Sequence, residues 1–84
     1  MRIPKPTAPP QIVEVEWLDA ALIEDGKEEE LATMRTCGYY HLATDELVSL
    51  AGDYDPETKE CRTKTVIPRV HVRRFTVLRP RKGA

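Results

Sequence analysis

Four residues in this chain of 84 have soft, ligand-grade or nucleophilic side chains: Cys37, His41, Cys61 and His71. Together they would fill one tetrahedral zinc shell. Their spacing argues against it. Zinc knuckles place two cysteines two to four residues apart, and here no two cysteines are close. Cys37 and His41, at opposite ends of an extended stretch, stand too far apart to share one ion unless the strand bends. A Cys–His nucleophilic pair is the other chemistry these residues offer. Cys61 has the more electropositive surroundings, next to Lys59 and Arg62, but no orienting Asp or Asn and no oxyanion motif accompanies it. The expectation is therefore no metal, no cofactor and no catalysis. Cys37 reads as a buried structural cysteine, and the two thiols as free in a reducing compartment. Asp53, Asp55 and Glu57 alternate like the start of a calcium loop. The glycine at the sixth position and the glutamate at the twelfth are missing, so they read as a solvated turn.

The chemistry that remains is electrostatic. The net charge is only −1. Residues 1–58 hold four cations against thirteen acids, a net of −9, whereas residues 59–84 hold nine cations against Glu60 alone, a net of +8. Arg69, His71, Arg73 and Arg74 come from one short stretch, and guanidinium groups suit phosphate bidentately. Such an asymmetry favours a polyanion partner or the pairing of one half with the other, within the fold or between subunits. Tyr40 joins these four as an anion-site candidate. If Tyr39 faces the core, Tyr40 faces outward, free to stack on a base or fill a subunit interface.

The elements that position these residues are short strands. Residues 1–11 are rich in proline and read as a flexible arm. "IVEVEWLDA" alternates, with Val13, Val15 and Trp17 on a core face and Glu14 and Glu16 on the other. In "EDGKEEELATMRTCG", the acids of a first turn precede Leu31 and Met34, which predicts one short helix. "CGYYHLATDELVSLAGDYD" predicts two strands about a turn at Thr44–Asp45, and "DYDPETKE" a polar turn. "RTKTVIP" is a fourth strand closed by Pro68. "VHVRRFTVL" is a fifth, with apolar positions Val70, Val72, Phe75 and Val77. Its apolar parity flips at Arg73–Arg74, which predicts a β-bulge. Residues 12–78 form the domain, and 79–84 read as a flexible basic tail. Five short strands with one helix between the first and second predict a mainly β, small, strongly bent barrel. No apolar run approaches the ~18 residues of a membrane span, and "MRIPKPTAPPQ" has no signal-peptide core, so the expected location is the cytoplasm.

"VIPRVHV" resembles the end of SH3-type barrels, where an Ile-Pro pair precedes a helical turn and an apolar residue opens the last strand. Ile67, Pro68 and Val72 would take those places. "VEVEWLDA", "CGYYHLATDELVSLAGDYD" and "TVIPRVHVRRFTVL" together resemble small uncharacterised bacteriophage and prophage proteins. The resemblance spans residues 12–78. It implies a five-stranded SH3-like or Sm-like barrel and, for a phage-borne protein, the host cytoplasm. There is no ALYDY-type segment, so binding of Pro-rich peptides is not implied. The functional expectation is a non-enzymatic binding or assembly module. Exposed strand edges and opposite charge suit a homo-oligomer, such as a head-to-tail ring. In a ring, Arg73, Arg74 and Tyr40 would hold an anionic ligand such as a nucleotide. The alternative is a monomeric nucleic-acid-binding protein.

Overall fold

The computed structural model describes residues 2–19 and 32–79. Five strands, β1 (Ile12–Asp19), β2 (Ala32–Ala43), β3 (Leu47–Asp55), β4 (Glu60–Pro68) and β5 (Val72–Val77), form one antiparallel sheet in the order β4-β3-β2-β1-β5. A 3-10 turn, Arg69–His71, joins β4 to β5. β5 returns to lie against β1, but β4 and β5 do not pair with each other. The sheet is therefore not closed by its strand pairing. There is no α-helix among the described residues. Of the helix expected over "EDGKEEELATMRTCG", the first part lies outside the described residues. The part from Ala32, Met34 included, belongs to β2, paired with β1 from Ala32↔Asp19 to Tyr39↔Ile12. Acids followed by an i, i+3 apolar pair fit a helix turn locally. Pairing along eight residues with β1 satisfies the backbone and overrides that preference.

The core is one-sided. Val13, Val15, Tyr40, Val48, Leu50, Ile67 and Val72 are buried on the inner face, with Trp17, Ala43, Phe75 and Val77 packed against them. Each strand contributes through its period of two, and two bulges keep the apolar set inward. In β5 the ladder with β1 shifts between Glu16↔Arg74 and Trp17↔Val72, so Arg73 is the extra residue and the expected parity flip is real. In β2 the ladder shifts between Tyr40↔Leu50 and Leu42↔Ser49, with His41 as the extra residue. Gly38 permits the close packing of β2 on β3. A Cβ there would lie 2.8 Å from the Ala51 carbonyl oxygen and 3.1 Å from Leu50 Cβ.

Two expected positions change. Val70 is not in the fifth strand but in the 3-10 turn, 78% exposed, because Pro68 ends β4 and β5 opens only at Val72. Trp17 is half-buried at the margin of the core, its Nε1 donating to Thr36 Oγ1 at 3.0 Å. The N-terminal arm packs on the sheet. Ile3 is buried in the core, and the Tyr40 hydroxyl donates to the Pro4 carbonyl. A domain of this size has too little apolar surface to leave one inner corner uncovered.

The two hairpin turns among the described residues follow from their sequences. Thr44 Oγ1 accepts from the backbone N–H of Glu46 and of Leu47, each at 3.1 Å, between β2 and β3. Asp55 Oδ1 accepts from Glu57 N at 2.9 Å and Thr58 N at 3.3 Å, and Lys59, at φ 64°, closes the β3–β4 turn onto the Asp55 carbonyl. Such side-chain-capped turns are the usual work of Asp and Thr. The two bonds to backbone N–H groups hold the Asp55 carboxyl below its ordinary range.

Candidate functional site

Tyr40 corrects the expected anion site most sharply. It is fully buried beneath the arm, with its ring edge-on to Phe75 at 4.8 Å between centroids. Burial pushes its hydroxyl up from the ordinary tyrosine value, against a smaller opposing pull from Arg69. It can neither stack on a base nor line an intersubunit pocket. The outward tyrosine is Tyr39, whose ring lies 5.8 Å from that of Tyr54. Adjacent tyrosines in a strand must face opposite ways. The core takes Tyr40 because Leu50 is its partner across β3 and the arm covers its hydroxyl.

The four basic candidates are close in sequence but act separately. Arg69 is half-buried in the 3-10 turn. Its guanidinium donates to the Thr44 carbonyl at 2.9 Å and its backbone N–H to the Glu46 carbonyl at 2.8 Å, tying β4's end to the β2–β3 turn. His71, also half-buried, closes the 3-10 turn. Arg73 occupies the β5 bulge and donates to the carbonyls of Val70 at 3.1 Å and Val72 at 3.3 Å. Arg74 is exposed on the outer face opposite Glu16. Of the tail, only Arg79 lies within the described residues, and it is exposed.

The sheet carries a charge pattern from strand to strand that the linear charge count did not reveal. Glu16 is partnered by Arg35 in β2 and by Arg74 in β5, and Asp53 in β3 by Arg62 in β4. Read from edge to edge, the strands present Arg62 and Lys64, then Asp53, then Arg35, then Glu14 and Glu16, then Arg74. The strand order interleaves acidic and basic segments, so among the described residues the two halves of the chain do not form separate poles. Opposite charges across strands each contribute roughly 0.2–1 kcal/mol. Both edges of the sheet are left basic. The ion pair closer than 4 Å among the described residues is Arg62–Glu60, at 3.3 Å and exposed.

The four sulfur and imidazole groups do not meet at one point. Cys37 is exposed, not buried as expected, because it shares the outer face with Tyr39. Its Sγ donates to Glu14 Oε2 at 3.7 Å. Desolvation first, and then the Glu14 carboxylate, push the Cys37 thiol up. His41 and Cys61 instead line a cleft of about 520 Å³ with Pro9, Pro10, Tyr54 and Lys59. Desolvation, helped by Lys64, lowers the His41 pKa and so favours neutral imidazole. Among the described residues, no three His, Cys, Asp or Glu side chains are placed to hold a metal ion. No helix among them is long and apolar enough to cross a membrane. No family model, curated protein or solved structure matches this chain.

Proposed function

We propose that the protein is a non-enzymatic binding module for an anionic partner, working through the basic edge strands of its sheet. One observation carries this reading. Among the described residues, both edge strands leave one side without a neighbour, and both present exposed cations there, Arg62 and Lys64 on β4 and Arg73 and Arg74 on β5. Unpaired edges invite another chain, and arginine and lysine select one with negative charge. The finer reading of the sheet as an SH3-like barrel draws on the Ile67-Pro68 pair, the 3-10 turn after it, and the return of β5 to β1. Retention of the intact chain on poly-glutamate or on oligo-deoxythymidine at low salt, with loss as salt rises, is the expected result. Failure to bind either polymer at low salt overturns the reading. A second reading, assembly of copies through the same two edges, is supported by both edges lacking a neighbour among the described residues. Static light scattering would then give a mass well above 9.6 kDa.

A further inference from the structure

The two edges differ in how open they are to a new strand. β5 has six residues and is bulged at Arg73, whose guanidinium closes over the carbonyls of Val70 and Val72. Bulges and charged caps of this kind protect an edge. β4 has nine residues and keeps one register with β3 throughout, from Leu47↔Pro68 to Asp55↔Glu60. Its one irregularity is Thr63, at φ 59°, fixed by its hydroxyl donating to Asp53 Oδ2 at 3.3 Å. Lys64 and Val66, opposite Ala51 and Ser49, share the outer face. Arg62 lies beyond the left-handed Thr63, opposite Asp53, whose neighbour Tyr54 is the one that meets Tyr39 on that face.

That face ends unfinished at β4. Leu42, Ser49 and Val66 form one row across β2, β3 and β4, with Leu42 44% and Val66 56% exposed. The alternation of charge from strand to strand also stops there on a basic strand. Within the sheet, β1 already shows what lies well between basic neighbours: Ile12, Glu14 and Glu16 at every second position, with Glu16 between Arg35 and Arg74. A strand continuing the alternation beyond β4 would carry an apolar residue opposite Val66 and an acid opposite Lys64, with a second acid in register with Arg62. In antiparallel order that reads apolar-x-acid-x-acid. A second copy of β4 would instead set Arg62 and Lys64 against themselves, and β5 would bring Arg73 and Arg74. Like charges directly opposite are destabilising.

Resting on the anion-binding reading above, we propose that the outer edge of β4 docks an extended acidic segment of a partner protein as a sixth strand. Main-chain hydrogen bonds supply the grip, Val66 and Lys64 supply the selection on the outer face, and Arg62 adds charge from the other face. Glu60 already shares the charge of Arg62, so Lys64 is the stronger of the two selectors.

The test uses a fluorescent peptide, Thr-Val-Thr-Glu-Thr-Glu-Thr, and a twin with alternate backbone nitrogens methylated. The twin keeps every charge but cannot join a strand ladder. The unmodified peptide is expected to bind the intact chain at least about tenfold tighter than the twin. The double variant Arg62→Glu/Lys64→Glu, at two exposed positions, should lose the peptide and accept the sister Thr-Val-Thr-Lys-Thr-Lys-Thr. Equal binding of peptide and twin, or binding of neither, overturns the inference. Oligo-deoxythymidine binding without peptide binding also overturns it while leaving the anion-binding reading intact. So does a dimer, seen by light scattering, that the peptide cannot displace.

Discussion

Tyr39 and Tyr40 are neighbours with identical side chains, and the sheet gives them opposite environments. Tyr40 is sealed between Phe75 and the N-terminal arm, whereas Tyr39 lies half-buried against Tyr54 on the other face. The inner face is one contiguous apolar core with a single role, to hold the sheet together. The outer face is a mosaic of charges set opposite one another across strands and of isolated apolar groups. In so small a domain, the sequence of the inner face is constrained by stability. The outer face is where a binding function has room to be written.

Exchanging each tyrosine for alanine breaks this contrast if it is wrong. Tyr40→Ala should cost about 3–5 kcal/mol, enough to unfold most of the protein at room temperature. Tyr39→Ala should cost about 1 kcal/mol, the order of one lost aromatic pair. Denaturant titration of both variants decides it, and equal costs would refute the two-face account. The glycines provide a gentler version. Gly38→Ala forces a Cβ to within 2.8 Å of the Ala51 carbonyl oxygen, where backbone must yield, and should cost about 1–3 kcal/mol. Gly52→Ala meets Thr63 Cβ at 3.5 Å, ordinary contact, and should change the thermal midpoint little.

The smallest effect belongs to the outer face alone. Because its pKa is raised, Cys37 holds less thiolate at about pH 8 than an ordinary cysteine, so iodoacetamide should label it slowly despite its exposure. Glu14→Gln should speed labelling only in part, since desolvation is the larger cause and remains. Mass spectrometry of the labelled chain reads both rates. Full restoration of ordinary thiol reactivity would assign the whole shift to Glu14.

Much of the inner face is legible from periodicity. Val13, Val15 and Trp17 alternate, and the double arginine between Val72 and Phe75 marks the β5 bulge by breaking the apolar parity. Pro68 marks the end of β4. The bulge at His41 is not legible, because no change of apolar parity in "YYHLA" distinguishes it from a regular strand. The choice between Tyr39 and Tyr40 is equally hidden. Alternation says that the two differ, but only the arm and the partner Leu50 say which goes in. The charge pattern misleads for a topological reason. Linear segregation of acids and bases becomes interleaving once β5 returns to β1. From Ala32 onward, the only described part of the expected helix, strand pairing with β1 outweighs local preference.

That return of β5 has a further consequence, for the order in which the protein comes into being. β1 lies beside β2 as soon as both are made, but its second neighbour is the last strand of the sheet to leave the ribosome. Until then β1 is itself an open edge, and the inner core lacks Val72, Phe75 and Val77. Contacts so distant in sequence form late and leave nascent chains exposed to misassociation. Glu14 and Glu16 line that temporary edge, and adjacent nascent chains would present the same carboxylates to one another. The acids that sit between two basic strands in the finished sheet would set like charges opposite one another in any edge-to-edge pairing of β1 before β5 arrives.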